Sequence, residues 1–235
     1  MQILTGTSGY SYKAWKGSFY PPQLADREML RSYAQQLPAV ELNNTFYRLP
    51  SPAMVESWAA QTPDDFRFAI KAPRRITHIK RLNEVSDDVR ALLEAARTLG
   101  PKLGALLFQL PPYFQKNPGK LETFLDLLPN DVFAALEFRH PSWLHQDVYE
   151  KLRARNVALC SSDTDEAPAD AVVSTADWGY LRLRRVNYSD ADLNAWLTRL
   201  RAMNWTEAFV FFKHEEAGTG PRFAKRLREL AQKDR

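Results

Sequence analysis

The apolar run Val132, Phe133, Ala134, Ala135 and Leu136 ends in Glu137, Arg139 and His140, and Pro141 stops it. A buried strand that terminates in charges is what a parallel α/β sheet presents at its functional edge. The pattern recurs along the chain. Glu41 and Asn43 end AVELN, Lys71 ends FRFAIK, and Gln109 sits near the end of LGALLFQL. Asp163 follows VALCSS, Arg182 and Arg184 end GYLRLR, and Lys213 and His214 follow EAFVFF. Alternate residues of a strand share a face, so Glu41 pairs with Asn43, Glu137 with Arg139, and Arg182 with Arg184. Each set is expected to point inward, because outward charges would be pressed into apolar surface under covering helices. Glu41, Glu137 and Asp163 would then meet Lys71, Arg139, Arg182, Arg184 and Lys213.

An excess of guanidinium suits a phosphate or carboxylate, which the arginine fork holds with two parallel hydrogen bonds. The expectation is an enzyme that acts on a small phosphorylated or carboxylated metabolite by acid–base chemistry. Glu41 or Glu137 would be the base, with Lys71 as electrophilic or proton-donating partner. Asn43, Gln109, Arg139, His140, Asp163, Arg182, Arg184 and Lys213 would bind the substrate. Hydrolase, lyase and isomerase chemistries stay open. Paired carboxylates also suit a glycosidase, although surrounding cations lower both pKa values and oppose a general acid. A desolvated Lys71 could form a Schiff base. No cofactor is expected. A divalent metal on His140, Glu41, Glu137 and Asp163 is the weaker alternative, opposed by the nearby arginines. Two other classes compete. A nucleic-acid-binding or phosphodiester-processing barrel would use the basic loop 74–81 and the aromatic loop 10–20 for charge and stacking. A non-catalytic scaffold barrel would pair both glutamates fully with arginine and leave no ligand-sized cavity.

The elements that must position these residues follow from periodicity. Strands are predicted at 2–7, 39–43, 66–71, 103–110, 132–136, 157–160, 179–184 and 207–213. Helical spacing covers 26–37, 52–61, 86–99, 121–128, 144–155, 189–203 and 221–232. The stretch 164–178, rich in Asp and Ala and carrying Pro168, need not hold a full helix. Eight strand–helix units in 235 residues predict a TIM-type (β/α)8 barrel, a single domain over 1–235, with one missing or irregular helix after strand six. No glycine-rich phosphate loop follows any strand.

Hydrophobic residues make up 45% of the chain and the net charge is +4, enough for a large core and modest for a nucleic-acid binder. The single cysteine, Cys160, lies in an apolar run and is expected to be a buried thiol. The start, MQILTGTSGY, lacks a basic region followed by an apolar core, and no apolar run approaches membrane-spanning length. A cytoplasmic monomer or weak homo-oligomer without membrane contact is the default expectation.

The segments GTSGYSYKAWKGSFYP, VELNNTFYRLPSP, FRFAIKAP, LGALLFQLPP, LEFRHPSW and GYLRLRRVNY resemble the YecE-like family, the bacterial and archaeal domain of unknown function numbered seventy-two. The likeness runs over nearly the whole chain in order. It implies a TIM barrel and supplies no reaction. The chain is similar to the family at Glu41, Asn43, Thr45, Phe46 and Tyr47, at Gln109, at Glu137, Arg139 and His140, and at Tyr180 and Arg182. Tyr47 joins the expected substrate-binding residues on this resemblance. There are two departures. Arg182-Leu183-Arg184-Arg185 stands where many members read Arg-x-His-Gly, and Phe212-Lys213-His214 where many have Phe-Asn-Asn. Both add positive charge and favour a more acidic ligand.

Overall fold

A computed structural model of the chain describes residues 1–167 and 172–233. Its strands are β1 (Gln2–Ser8), β2 (Ala39–Leu42), β3 (Arg67–Lys71), β4 (Leu103–Gln109), β5 (Ala134–Glu137), β6 (Ala158–Leu159), β7 (Ser161–Asp163), β8 (Trp178–Leu183) and β9 (Glu207–Phe212). They form one sheet in the order β6-β5-β4-β3-β2-β1-β9-β8-β7. Every neighbouring pair in that order is parallel. β6 pairs with β5, and β7 pairs with β8. Only Cys160 separates β6 from β7, so the two ends of the order are one interrupted strand, and the sheet closes into a barrel. The expected strand six is thus both β6 and β7.

The interruption leaves a seam that a side chain fills. The backbone N–H of Leu159 donates to Thr175 Oγ1 at 2.7 Å, and the Thr175 hydroxyl donates to the Val157 carbonyl at 2.7 Å. Thr175 is buried, so its hydroxyl does locally what a neighbouring strand would do. Thr175→Val keeps the shape and strands two buried backbone groups without partners. It should cost about 1–3 kcal/mol, read as a lower denaturant midpoint at an unchanged slope.

Helices α1 (Met29–Ala34), α2 (Pro52–Ala60), α3 (Ser86–Arg97), α4 (Pro118–Leu125), α5 (Gln146–Arg153), α6 (Asp190–Arg201) and α7 (Thr219–Lys233) alternate with the strands. Ser51 caps α2, and Ser189 with Asp192 forms a reciprocal capping box on α6. α4 starts earlier than expected, because Asn117 caps it and Pro118 takes the first helical position. Residues 164–167 and 172–177 carry no helix, in line with the irregular unit expected after strand six; Pro168 lies outside the described residues. Among those residues, no helix is long and apolar enough to cross a membrane.

The strands bury both faces. Outward side chains such as Val40, Leu42, Phe68, Ile70, Leu106, Leu136, Leu181 and Val210 pack under the helices. Inward ones form a second cluster. Ala39, Ala69, Ala105, Ala135 and Ala158 leave volume on one side, and Trp178, Tyr180, Phe209 and Phe211 cross from the other to fill it. This bulky layer blocks the lower barrel. One step further along the same inward rows, towards the strand C-termini, stand Glu41, Lys71, Gln109, Glu137 and Arg182. The polar layer therefore rests on an aromatic floor.

Candidate functional site

Arg182 is the hub of that layer, with only 2% of its surface exposed. It donates from Nη1 to Glu137 Oε2 at 2.7 Å and from Nη2 to Glu41 Oε1 at 2.9 Å. The two glutamates, on β5 and β2, are bridged by one guanidinium. Tyr180 donates its hydroxyl to Glu41 Oε2 at 2.7 Å, and Asn43 Nδ2 donates to Glu41 Oε1 at 3.1 Å. Glu137 also accepts from Gln109 Nε2 at 2.7 Å, Arg139 Nε at 3.2 Å and Arg184 Nη2 at 3.4 Å. Burial pushes both carboxyls up, but the opposing attraction wins. Arg182, with the Tyr180 hydroxyl, holds Glu41 below its ordinary value. Arg182, Arg184 and Arg139 together hold Glu137 well below. Both are ionised at neutral pH and are weak bases, which tells against the general-base role expected of them and against a glycosidase acid.

Lys71 behaves differently. It is 9% exposed, and its Nζ lies 4.3 Å from the centre of the Phe46 ring. Burial, reinforced by the charge of Arg182, lowers its pKa from 10.5 to about 8. His78 stands nearby on the turn Arg75–Ile79. Burial and the charges of Lys71 and Arg139 bring its imidazole down to about 4, so it is neutral at pH 7.

Above this layer opens a cavity of about 740 Å³. Of the residues expected at the site, Asn43, Tyr47, Lys71, Gln109, Arg139, Arg182, Arg184 and Lys213 line it, with Glu41 and Glu137 buried beneath. Arg182 Nε and Asn43 Oδ1 are buried there without a hydrogen-bond partner among the described residues. Tyr12 of the aromatic loop, Arg74 and His78 of the basic loop, Phe46, Tyr113 and Glu215 also line the cavity, beyond the set of expected site residues. All six sit on loops that follow strand C-termini, and that position was the available signal.

Two expected residues are not brought to this cavity. Ala158, Cys160 and Ser162 share the inward row, so Asp163 points outward by strand parity. It accepts from Arg185 Nε at 2.9 Å and from the Tyr188 hydroxyl at 2.9 Å. His140 caps the turn Pro141–Trp143, its Nδ1 accepting from the Ser142 N–H at 3.2 Å. It faces an adjoining cavity of about 610 Å³, which shares Arg139 and Arg184 with the first. The metal set drawn from His140, Glu41, Glu137 and Asp163 is therefore dispersed. Among the described residues, no group of three His, Cys, Asp or Glu side chains could hold a metal ion. The two departures from the wider family divide in the same way. Arg184 and Lys213 reach the cavity, whereas Arg185 pairs with Asp163 and Asp192, and His214 Nε2 meets the Arg185 carbonyl at 2.5 Å.

The aromatic loop closes one side of the barrel end and presents Tyr12 to the cavity. Trp15 and Tyr20 are buried, and Trp15 Nε1 donates to the Glu215 carbonyl at 3.0 Å. In the basic loop, Asp88 takes Arg75 at 2.6 Å and Lys80 at 2.8 Å. The scaffold alternative keeps its paired glutamates but not its closed mouth. Cys160 is a buried free thiol whose pKa burial drives well up.

A closed ring of parallel strands with a charged layer at the strand C-termini defines a TIM-type α/β barrel, the class in which ligands are taken up at that mouth. The model of the family described as "Protein of unknown function DUF72" matches residues 4–235. The chain belongs to that family. It is 37% identical over 131 residues to the UPF0759 protein YecE of Escherichia coli (strain K12), 54% of this chain and 47% of that protein. The match thus spans about half the length of YecE. Over 228 residues it is 26% identical to the UPF0759 protein YunF of Bacillus subtilis (strain 168), 92% of this chain and 80% of that one. A DUF72 family crystal structure from Thermotoga maritima MSB8 aligns with a TM-score of 0.86 at 25% identity, covering 99% of this chain and 100% of that one. One from Enterococcus faecalis V583 aligns at 0.77 with 20% identity over 98% of each chain, a likeness of fold.

Proposed function

We propose that the protein is an enzyme that binds a small phosphorylated or carboxylated metabolite at the barrel mouth and acts on it by acid–base chemistry centred on Lys71. The charge of the cavity carries this reading. Six cations line it: Lys71, Arg74, Arg139, Arg182, Arg184 and Lys213. They face three carboxylates, Glu215 at the rim and Glu41 and Glu137 below, so the balance is positive while Lys71 is protonated. A polar recess with spare guanidinium favours an anion over a neutral sugar. Glu41 and Glu137 serve as counter-charges that aim Arg182, and the base role passes to Lys71, whose pKa near 8 suits proton transfer close to neutrality. Arg139, Arg184 and Lys213 hold the anionic group, with Asn43, Gln109 and Tyr47 beside it.

A thermal-shift and calorimetric screen tests the proposal with sugar phosphates, carboxylic acids and their uncharged counterparts. Anions should raise the melting temperature by mass action and the neutral compounds should not. Arg139→Gln removes a half-exposed guanidinium and leaves Arg182 and Arg184 on Glu137. It should weaken anion binding about tenfold or more, the loss of one charged hydrogen bond. Equal stabilisation by neutral sugars, or undiminished anion binding in Arg139→Gln, would refute the anion site.

A further inference from the structure

We propose that Lys71 is a covalent nucleophile, and that the anionic substrate carries an aldehyde or ketone with which Lys71 forms an imine. The inference rests on the reading of the mouth as an anion site and names the substrate class that site would take.

The geometry sets Lys71 apart from a structural lysine in the same molecule. Lys102 is equally buried, at 9% exposure, and its ammonium is satisfied: it donates to the Ala59 carbonyl at 2.8 Å and the Thr62 carbonyl at 2.7 Å. A buried ammonium that serves architecture is expected to be bonded in this way. Lys71 stands in a layer that contains two carboxylates and holds neither of them. Arg182 bridges both, and Arg139 and Arg184 take the remaining side of Glu137. Among the described residues, Lys71 Nζ makes no hydrogen bond or ion pair. It lies over the face of Phe46, which holds the side chain at the cavity wall and takes up no lone pair. The arginines thus keep the acidic groups from the amine and leave it open to the cavity.

The charged and titratable groups around Lys71 come from every side. They are Arg182 on β8, Glu41 on β2, Glu137 and Arg139 at the end of β5, and neutral His78 on the turn after β3. Their sum with burial makes the neutral amine accessible close to pH 8, the condition a nucleophilic lysine needs. A primary amine beside an anion-holding guanidinium is matched to an electrophilic carbon a short distance from the anion. A carbonyl answers that description, whereas a saturated phosphate ester does not. In the step, the Nζ lone pair forms a bond to the carbonyl carbon as the C=O π pair moves to oxygen. The oxygen gains a proton and the nitrogen loses one, giving a carbinolamine. A further proton on that oxygen lets water leave, and the nitrogen lone pair closes the protonated C=N bond. One proton is consumed overall and one water released, with no redox partner.

The test is reductive trapping. The protein is incubated with glyoxylate, pyruvate or glycolaldehyde phosphate plus cyanoborohydride, and the adduct is mapped by peptide mass spectrometry. The expected result is a reduced adduct on Lys71 with at least one anionic carbonyl, at least tenfold faster than on Lys102 or on exposed lysines, and none at that position in a folded Lys71→Met. Oxo acid and oxo phosphate arms separate a carboxylate from a phosphate source. Arg139→Gln should slow trapping of the anionic probes and leave that of propionaldehyde unchanged. Lactate and glycerol 3-phosphate, which lack the carbonyl, report the anion site alone by calorimetry. If they bind and Lys71 is trapped no faster than exposed lysines, the covalent role is overturned and the anion site stands. If they fail to bind and propionaldehyde traps Lys71 as fast as the anionic probes do, the anion reading is overturned and the nucleophile stands.

Discussion

Arg182→Ala should destabilise the fold by about 3–5 kcal/mol at pH 7, because it leaves two buried carboxylates without their shared counter-charge. For a chain of this size the melting temperature should fall by roughly 10 °C or more. The pH dependence separates this cause from lost packing. In the parent, Glu41 and Glu137 have folded pKa values below the unfolded 4.5. Their ionised pairing therefore contributes stability that is fully present above about pH 4.5 and is lost as pH falls towards the depressed folded values. Without Arg182, Glu137 keeps Arg139 and Arg184, whereas Glu41 is left with the hydrogen bonds of Tyr180 and Asn43 and no ion pair among the described residues, so burial moves its value up. The sign then inverts at Glu41: the deficit of the variant is largest at neutral pH and shrinks as pH falls and that carboxyl takes up a proton. Denaturant melts of parent and variant at pH 7 and pH 5 check this. A deficit that is equal at both would assign the loss to the missing side-chain volume.

Lys71→Met should act in the opposite direction, raising stability at pH 7 while abolishing the adduct at that position. Lys71 has a folded pKa of about 8, below its ordinary 10.5. The fold disfavours its charged form, so below pH 8 the lysine costs stability, on the order of 3 kcal/mol. Between pH 8 and 10.5 the unfolded chain binds more proton than the folded one, and stability rises with pH by relief of that cost. Methionine matches the stem in length and removes the charge. The variant should melt roughly 5–10 °C higher at pH 7, with an advantage that narrows towards pH 10. A Lys71→Met protein less stable than the parent would make Lys71 a structural cation and remove the ground for its reactivity. A residue kept at a cost to stability, in a recess open to ligands, is what a stability–activity trade-off looks like.

The two substitutions differ in sign although both remove a cation from the same layer, and the difference lies in pairing. Arg182 has two carboxylate partners and Lys71 has none among the described residues. Neither fact can be read from the strand tips, where Glu41, Lys71, Glu137 and Arg182 look alike as charges ending apolar runs. Arg182 lies 141 residues from Glu41 and 45 from Glu137. Which carboxylate it meets depends on which strands face each other across the barrel, and on an arginine being long enough to span two of them above the Tyr180 ring.

What local order carries was open to sequence reasoning. Apolar runs with period-two alternation set the strands and their inward rows, because a strand's side-chain direction depends only on its own backbone. Eight such units with helices between them point to a closed barrel, in which helices cover the outer face of the parallel strands and side chains fill the inner one. Strand parity places Glu41, Lys71, Gln109, Glu137 and Arg182 in one layer. Asp163, expected inward with them, faces out because one residue of parity decides the face and its inward neighbour in the row is Ser162. His140, also expected there, is drawn aside by a partner close by in sequence, Ser142. Tertiary structure alone decided the rest: the bridge at Arg182, the amine of Lys71 left without a hydrogen bond among the described residues, and which residues of the loops after the strands, Tyr12, Arg74, His78 and Tyr113 among them, reach the cavity. Each of these depends on contacts between distant strands and on burial, and burial is what converts identical charges into different pKa values.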